Sequence, residues 1–459
     1  MLSGVSANAA SAQPDYPVSA QPFGARCDAR VLSDVTLSTD GKAMSSSTYR
    51  FGAGDVGKVV TVAGAGAGAS GGPLNTVISE VAGGTARLAN AAETGGVGAT
   101  VVFGHDDAEA FQAAERAAEA AGGGVMRIPA GTCIISHSLT WGSRVSLVGQ
   151  GAGVSILKWI SPASMDAALI QGLARNAASP YADNVFADFT ADGASAVQSS
   201  FNVRGKALYI QHMLRPVFHG LELRDFPATC LGVDFLVQGR IYANTVSGCG
   251  RLGGPTSLGS SGIGIGVGND PQESFAVIGN VARDNARYGI FAESQTGAVT
   301  HARGLIADNV VSNARARGEG IGDAGMTGAV IVGNQVSGPA QGQVPVAGIA
   351  VESGTYSAGR PGVAGLIANN RIEGFTYGVR LDYPAGAVSD YRVRGNVVGG
   401  AYGDCIRLET GQPEAVVAGV AVTDNRLARC GGATVAVVGP GAFRPLTVRD
   451  EAAVAAEGR

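Results

Sequence analysis

Apolar and polar residues alternate along most of this chain, in runs too short for helices. The stretch "TYGVRLDY" (376–383) shows the pattern: Tyr377, Val379 and Leu381 alternate with Gly378, Arg380 and Asp382. That is the period of a strand with two unlike faces, and it predicts Arg380 and Asp382 on the outer one. Similar runs recur. The clearest reads apolar-x-apolar-x-Asn-x-apolar, with Asn244, Asn280, Asn309, Asn334, Asn370, Asn396 and Asn425 at intervals of 36, 29, 25, 36, 26 and 29. A second strand-like run follows about a dozen residues later, as in "YGIFAES", "GEGIGDA", "VAGIAVES", "TYGVRLDY" and "GDCIRLET".

A period of 25 to 36 residues with two or three short strands and no helix predicts a parallel β-helix. Its coils stack about 4.8 Å apart. The recurring Asn suits a corner, because it tolerates a left-handed turn and its amide can bond the next coil. Differences in interval go into loops, and the longest, 250–261 and 339–346, are expected to project as walls.

Five segments follow from this reading: an extended lead-in (1–28), a small inserted β domain (29–104), a capping helix (105–123), the β-helix (124–448) and a tail (449–459). The insert shows strand candidates "KVVTVA", "NTVISEVA", "ARLANA" and "TVVF" between Gly-rich turns. The helix is "DDAEAFQAAERAAEAA", with Asp106 and Glu109 as a capping box, Phe111, Ala114 and Ala118 on one face, and Gly122 to Gly124 as its stop. The fold class expected is all-β: a right-handed parallel β-helix with an N-terminal capping helix and a small β insert.

Composition sharpens this picture. Gly is 71 of 459 residues and charged residues are 15%, which suits many short strands joined by tight turns. There is no Gly-X-Y period of collagen. Net charge is −4 and no Lys/Arg run stands out, which argues against nucleic acid as a partner. No stretch of 18 apolar residues exists to span a membrane. Six cysteines (27, 133, 230, 249, 405, 430) show no CxxC or metal cadence and are expected to be buried small hydrophobes. No metal is expected from them, nor from the five histidines. The start lacks a signal peptide's basic and apolar regions, yet "ASAQ" (10–13) has the form of a cleavage-site tail. A trimmed extracellular or periplasmic precursor and a virion component both remain open.

Three motifs carry a resemblance. "PFGARCD" (22–28), "DDAEAFQAA" and "GGGVMRIPAGTCIIS" resemble the N-terminal motifs of pectate-lyase-like right-handed β-helix proteins, phage tailspikes among them. Cys27 stands where that family usually has Gly, and Cys133 where it has Tyr. The resemblance covers the cap and first coil and implies the fold, a polysaccharide or oligosaccharide partner and, from the tailspikes, a homotrimer. It carries no catalytic residue.

Candidate chemistry comes from the coils. Aligned on Leu231, Ile290, Ile349, Val379 and Ile406, the second strands carry Asp234, Glu293, Glu352, Asp382 and Glu409 three positions later, with Asp323 one position early in the coil of Ile321. With acids at 37 of 459 residues, chance predicts fewer than one among seven such slots. Stacked carboxylates about 5 Å apart repel, which splits their pKa values as an acid/base pair needs. Adjacent coils match the separation in retaining glycosidases, and coils two apart approach the inverting one. Glu352 and Asp382 are the expected pair, with Asp323, Glu293 and Glu409 as further catalytic candidates. Arg380, Arg407, Asp234 and Tyr383 are the expected substrate contacts. Tyr288 is a further stacking candidate, whereas Tyr377 is expected to pack inward. The function expected is glycosidic cleavage, hydrolase before lyase, with no cofactor unless a lyase's carboxylates hold Ca²⁺. Two bland readings stay open, solvated strand-end acids or an ion ladder that only stabilises the stack, and with them a non-catalytic glycan-binding or tail-type protein. Asp188, Asp192, Glu222 and Asp225 are weaker candidates. His219 and His301 are expected to be structural or surface residues, and "GIGIGVG" (262–268) a strand rather than a phosphate loop.

Overall fold

The computed structural model describes residues 13–66, 72–93, 97–160, 167–196, 201–253, 257, 259–296, 302–313, 318–338, 347–352, 362–383, 388–413 and 416–449. The cleavage-site-like "ASAQ", most of the tail, the 339–346 loop, part of the 250–261 loop and His301 lie outside them, apart from Gln13 and Arg449.

Three long parallel sheets, of 13, 12 and 11 strands, run the length of the β-helix. Each coil gives one strand to each: Ser274–Ile278, Val281–Arg283 and Tyr288–Ser294 form one turn. A column of inward residues runs down every sheet. In the first it includes Phe186, Phe218, Ile241, Val277, Ile306, Ile331, Ile367, Val393 and Val422, all fully buried. Like residues stacked on like give each coil the same cross-section, so the core is continuous.

The Asn column forms a buried ladder. From Asn244 to Asn425 each Nδ2 donates to the next Asn Oδ1 at 2.9 Å, and each backbone N–H to the same oxygen at 2.9–3.0 Å. The left-handed residue of the corner is not the Asn but the one before it: Ala243, Gly279, Asp308, Gly333, Asn369, Gly395 and Asp424 have φ of 54° to 69°. The turn thus delivers the Asn inward, where only its neighbours can satisfy it.

The helix Ala108–Ala120 closes the N-terminal end with Phe111, Ala114 and Ala118 fully buried. Its start differs from the expected capping box. Asp107 is the N-cap, which puts Glu109 one position too early, and the Asp107 carboxylate accepts from the backbone N–H of Arg26 (2.6 Å) and Cys27 (3.0 Å). It therefore ties the lead-in to the cap rather than capping its own helix.

Arg30–Leu37, Ala43–Ser45, Val59–Val62, Leu74–Ala82, Thr85–Leu88 and Val97–Gly104 form a closed barrel with its own core around Val35, Met44, Val60, Val62, Val101 and Phe103. Its first strand escapes the alternation test because bulges beside Val35 shift the inward parity. Asn75 docks the barrel on the coils by donating to the carbonyls of Ile160 (3.2 Å) and Ser195 (3.0 Å).

The cysteines were expected to be buried small hydrophobes; five are buried, but all six are paired, as Cys27–Cys133, Cys230–Cys249 and Cys405–Cys430. The last two are one device used twice. Cys230 and Cys405 precede strands of one sheet, Leu231–Val237 and Ile406–Thr410, while Cys249 and Cys430 follow the strands Thr245–Ser247 and Arg426–Ala428 one coil on. Each staples a corner to the next coil, a relation that linear spacing does not display.

Candidate active site on the twelve-stranded sheet

The register of this sheet is the one expected: Leu231, Ile263, Ile290, Ile321, Ile349, Val379 and Ile406 pair in sequence. Asp382 pairs with Glu409, and Glu352 directly follows Val351, the partner of Leu381. The acid column is therefore real, with three corrections. Asp323 lies one residue off the outer slot and so faces the interior. It is fully buried, with Oδ1 accepting from Met326 N–H (3.0 Å) and Oδ2 from the Tyr391 hydroxyl (3.1 Å). Tyr383 is fully buried too and cannot meet a sugar on the surface. Tyr377 is partly exposed, with the Arg407 guanidinium 4.9 Å from its ring centre, so it is not an inward residue.

Two clusters occupy the outer face. In the first, Tyr288 stacks on Phe291 with ring centres 4.3 Å apart, and the Arg287 guanidinium lies 4.9 Å from the Tyr288 centroid. Both rings spread over Gly322 of the next coil, where an added Cβ would sit 2.5 Å from Tyr288. The Tyr288 hydroxyl thereby reaches past one coil to donate to Glu352 Oε1, which also accepts from Arg287 at 3.2 Å. Glu319, on the coil between, is the strand partner of Tyr288 and lies beside the same phenol. Burial first, and then the charge of Glu352, raise the Glu319 pKa to about 8. A phenol has one proton to give. That proton goes to Glu352, so Tyr288 links the two carboxyl groups without donating to both.

In the second cluster Arg380 lies 2.7 Å from Asp382 and 3.1 Å from Glu409. Arg407 bonds Glu409 at 3.0 Å and Asp404 at 3.0 Å. Burial raises the Asp382 pKa and Arg380 pulls it back, while the Arg407 hydrogen bond leads in lowering that of Glu409. Neighbouring carboxylates are thus pushed in opposite directions. The charge of Glu352 acts on Asp382 in this cluster as well as on Glu319 in the first, so the clusters form one electrostatic unit.

Glu293 and Asp234 sit further along the same face. Asp234 accepts from Gln211 (2.8 Å) and Gly266 N–H (3.0 Å), and Glu293 is buried beside Gln295. The weaker candidates are occupied elsewhere: Asp192 is paired with Lys158 and Arg224, Glu222 accepts from Thr190, and His219 stacks on Tyr242. Among the described residues one group of three ligand types gathers closely, Cys27, Asp107 and Cys133, and its sulfurs are bonded to each other.

Glu319 and Arg287 were not singled out from the sequence. A signal existed. Tyr288, Glu319 and Tyr377 each precede a glycine that enters a strand of this sheet, in "YGIFAE", "EGIGDA" and "YGVRLD". The same outward slot recurs five residues before the acid column.

These observations define the class: the chain is a right-handed parallel β-helix. A family model described as right handed beta helix region matches residues 261–444. Among solved structures, the A-module of the mannuronan C-5 epimerase AlgE4 of Azotobacter vinelandii is similar at 17% identity and a TM-score of 0.53, covering 73% of this chain and 95% of that one. PfbA, a surface adhesin of Streptococcus pneumoniae, is similar at 15% identity and a TM-score of 0.53, covering 72% and 88%. DFA-IIIase from Arthrobacter chlorophenolicus A6 shows 14% identity and a TM-score of 0.49 over 76% and 90%. At these identities the likeness is one of fold. No curated protein sequence matches the chain.

Proposed function

We propose that this protein hydrolyses glycosidic bonds of a polysaccharide or oligosaccharide lying along the outer face of the twelve-stranded sheet. One observation carries the reading: a phenol and a guanidinium both donate to the Glu352 carboxylate, a buried carboxyl whose pKa burial raises lies beside the phenol, and an Arg-paired carboxylate sits on the adjacent coil. The leaving oxygen takes its proton through Glu352: Tyr288 passes its own proton to the Glu352 carboxylate, which passes it on, and the Tyr288 oxygen takes the proton of Glu319, so the negative charge ends on Glu319. Glu319 is thus a positioning residue that holds the proton at rest. Asp382, aligned by Arg380, attacks the anomeric carbon or activates water. Arg287 pairs with Glu352 and favours the charge that forms on Glu319, and Arg407 and Tyr377 offer a cation and a ring face to the next sugar. The three disulfides favour an oxidising location, extracellular, periplasmic or on a virion.

A panel of neutral and acidic polysaccharides tests this. New reducing ends without the ultraviolet absorbance of an unsaturated uronate mean hydrolase, and with it lyase. Asp382→Asn should lose at least about 100-fold in rate while thermal stability holds. Binding without products would favour the second reading, glycan recognition alone. One observation supports that reading: Arg380 already bridges Asp382 and Glu409 across two coils, and Arg407 holds Glu409 within its own.

A further inference from the structure

The acid column is interrupted at Gly266, where "GIGIGVG" forms the strand Ile263–Val267. Its glycines leave a hollow of about 140 Å³ in the outer face, lined among others by Lys206, Tyr209, Asp234, Gly264, Phe291 and Glu293. Lys206 is 7% exposed. Its side chain lies flat across Gly232, where a Cβ would meet it at 2.6 Å, and its Nζ sits 3.6 Å from the centre of the Tyr209 ring. Among the described residues no hydrogen-bond acceptor reaches this ammonium. Burial pushes the Lys206 pKa down and the charge of Asp234 opposes it, and Asp234 accepts one bond on each oxygen, from Gln211 and Gly266 N–H, instead of bonding Lys206. A buried ammonium with unspent donors that opens onto a cavity is costly unless a ligand supplies acceptors.

We infer that this hollow is a subsite for one uncharged sugar unit, whose hydroxyls accept from Lys206 and donate to Asp234 and Glu293 while its ring lies against Phe291 or Tyr209. The volume equals about four or five waters, room for one ring or part of one rather than for a long ligand. Charge selects the class. One ammonium faces two carboxylates here, so an added uronate or sulfate would meet net repulsion. A hydroxyl both gives and takes, and it satisfies both signs. The inference rests on the glycan reading above and makes the substrate a polymer with neutral units at this position.

Calorimetric titration of neutral and uronate oligosaccharides tests it, using Asp382→Asn as the parent to stop turnover. Lys206→Met removes the donors and keeps the length. Gly264→Val fills the hollow and keeps every charge. Each should weaken neutral oligosaccharides about tenfold or more, the scale of a lost charge-assisted bond. Neutral affinity unchanged in both variants would overturn the subsite while leaving glycan cleavage intact. Tighter binding of uronates, lost in Lys206→Met, would overturn the neutral class. If no oligosaccharide of either kind binds the parent and wild type cleaves none, the glycan reading itself fails.

Discussion

Asp323→Asn separates the interior of the coil stack from its chemistry. The Asp323 carboxyl is fully buried beside Tyr391, and burial raises its pKa from 3.8 to about 7. As pH rises from about 4, the unfolded chain gives up this proton first, whereas the folded chain keeps it until about pH 7. Stability contributed by the protonated form is therefore full below pH 4, declines through the window from 4 to 7, and is level above it. Three pKa units correspond to about 4 kcal/mol. Asn keeps the shape, the acceptor for Met326 and a polar partner for Tyr391, and it never ionises. The variant's unfolding free energy minus that of wild type should rise by about 4 kcal/mol between pH 4 and 8, measured by urea denaturation followed by circular dichroism. Other titrating groups are common to both proteins and cancel in the difference. Activity per folded molecule should not change, because the carboxyl does not reach the outer face. A difference independent of pH would refute the raised pKa. Lost turnover at unchanged stability would return Asp323 to the catalytic column.

Glu319→Gln removes the proton held at rest, so activity should fall and the decline in rate as pH rises through about 8 should vanish from the pH–rate profile; a wild-type limb retained in the variant counts against the relay. Gly322→Ala places a methyl group against the Tyr288 and Phe291 rings. Turnover should drop while the far-ultraviolet spectrum and the melting temperature change little, and full activity would show that the rings need not lie there. Asn309→Ala breaks the buried ladder at four hydrogen bonds, to Asn280, Asn334 and the Val277 carbonyl, at a cost of about 3–5 kcal/mol in denaturant unfolding. Replacing Cys27 and Cys133 together with Ser should cost about 2–5 kcal/mol and remove part of the loss in melting temperature that a reductant causes in wild type.

Inward positions were legible in the sequence because the core dictates them. The Ile/Val column fixes the register, and a slip of one residue would turn every apolar side chain to water. That rule also explains Asp323. One position short of the slot is the opposite face, so a near match in an alignment is a complete mismatch in space. Tyr377 failed for a related reason. Gly378 and Val379 both face the core, where the corner passes into the strand, so strict alternation begins only after that pair.

Outward positions obey no such constraint, and there the sequence shows slots without showing pairings. Arg380 bonds the acid of its own strand and that of the next coil, while Glu352 turns away from Asp382 toward a tyrosine two coils back. These choices depend on side-chain length and on a glycine that opens the path, not on periodicity. The disulfide at the cap shows what sequence could have offered. Cys27 and Cys133 were the two departures from the motifs they interrupt, and they are bonded to each other. A glycine and a tyrosine lost together from neighbouring backbone positions leave room for one bridge. Paired exceptions to a pattern therefore carry contact information that each exception alone does not.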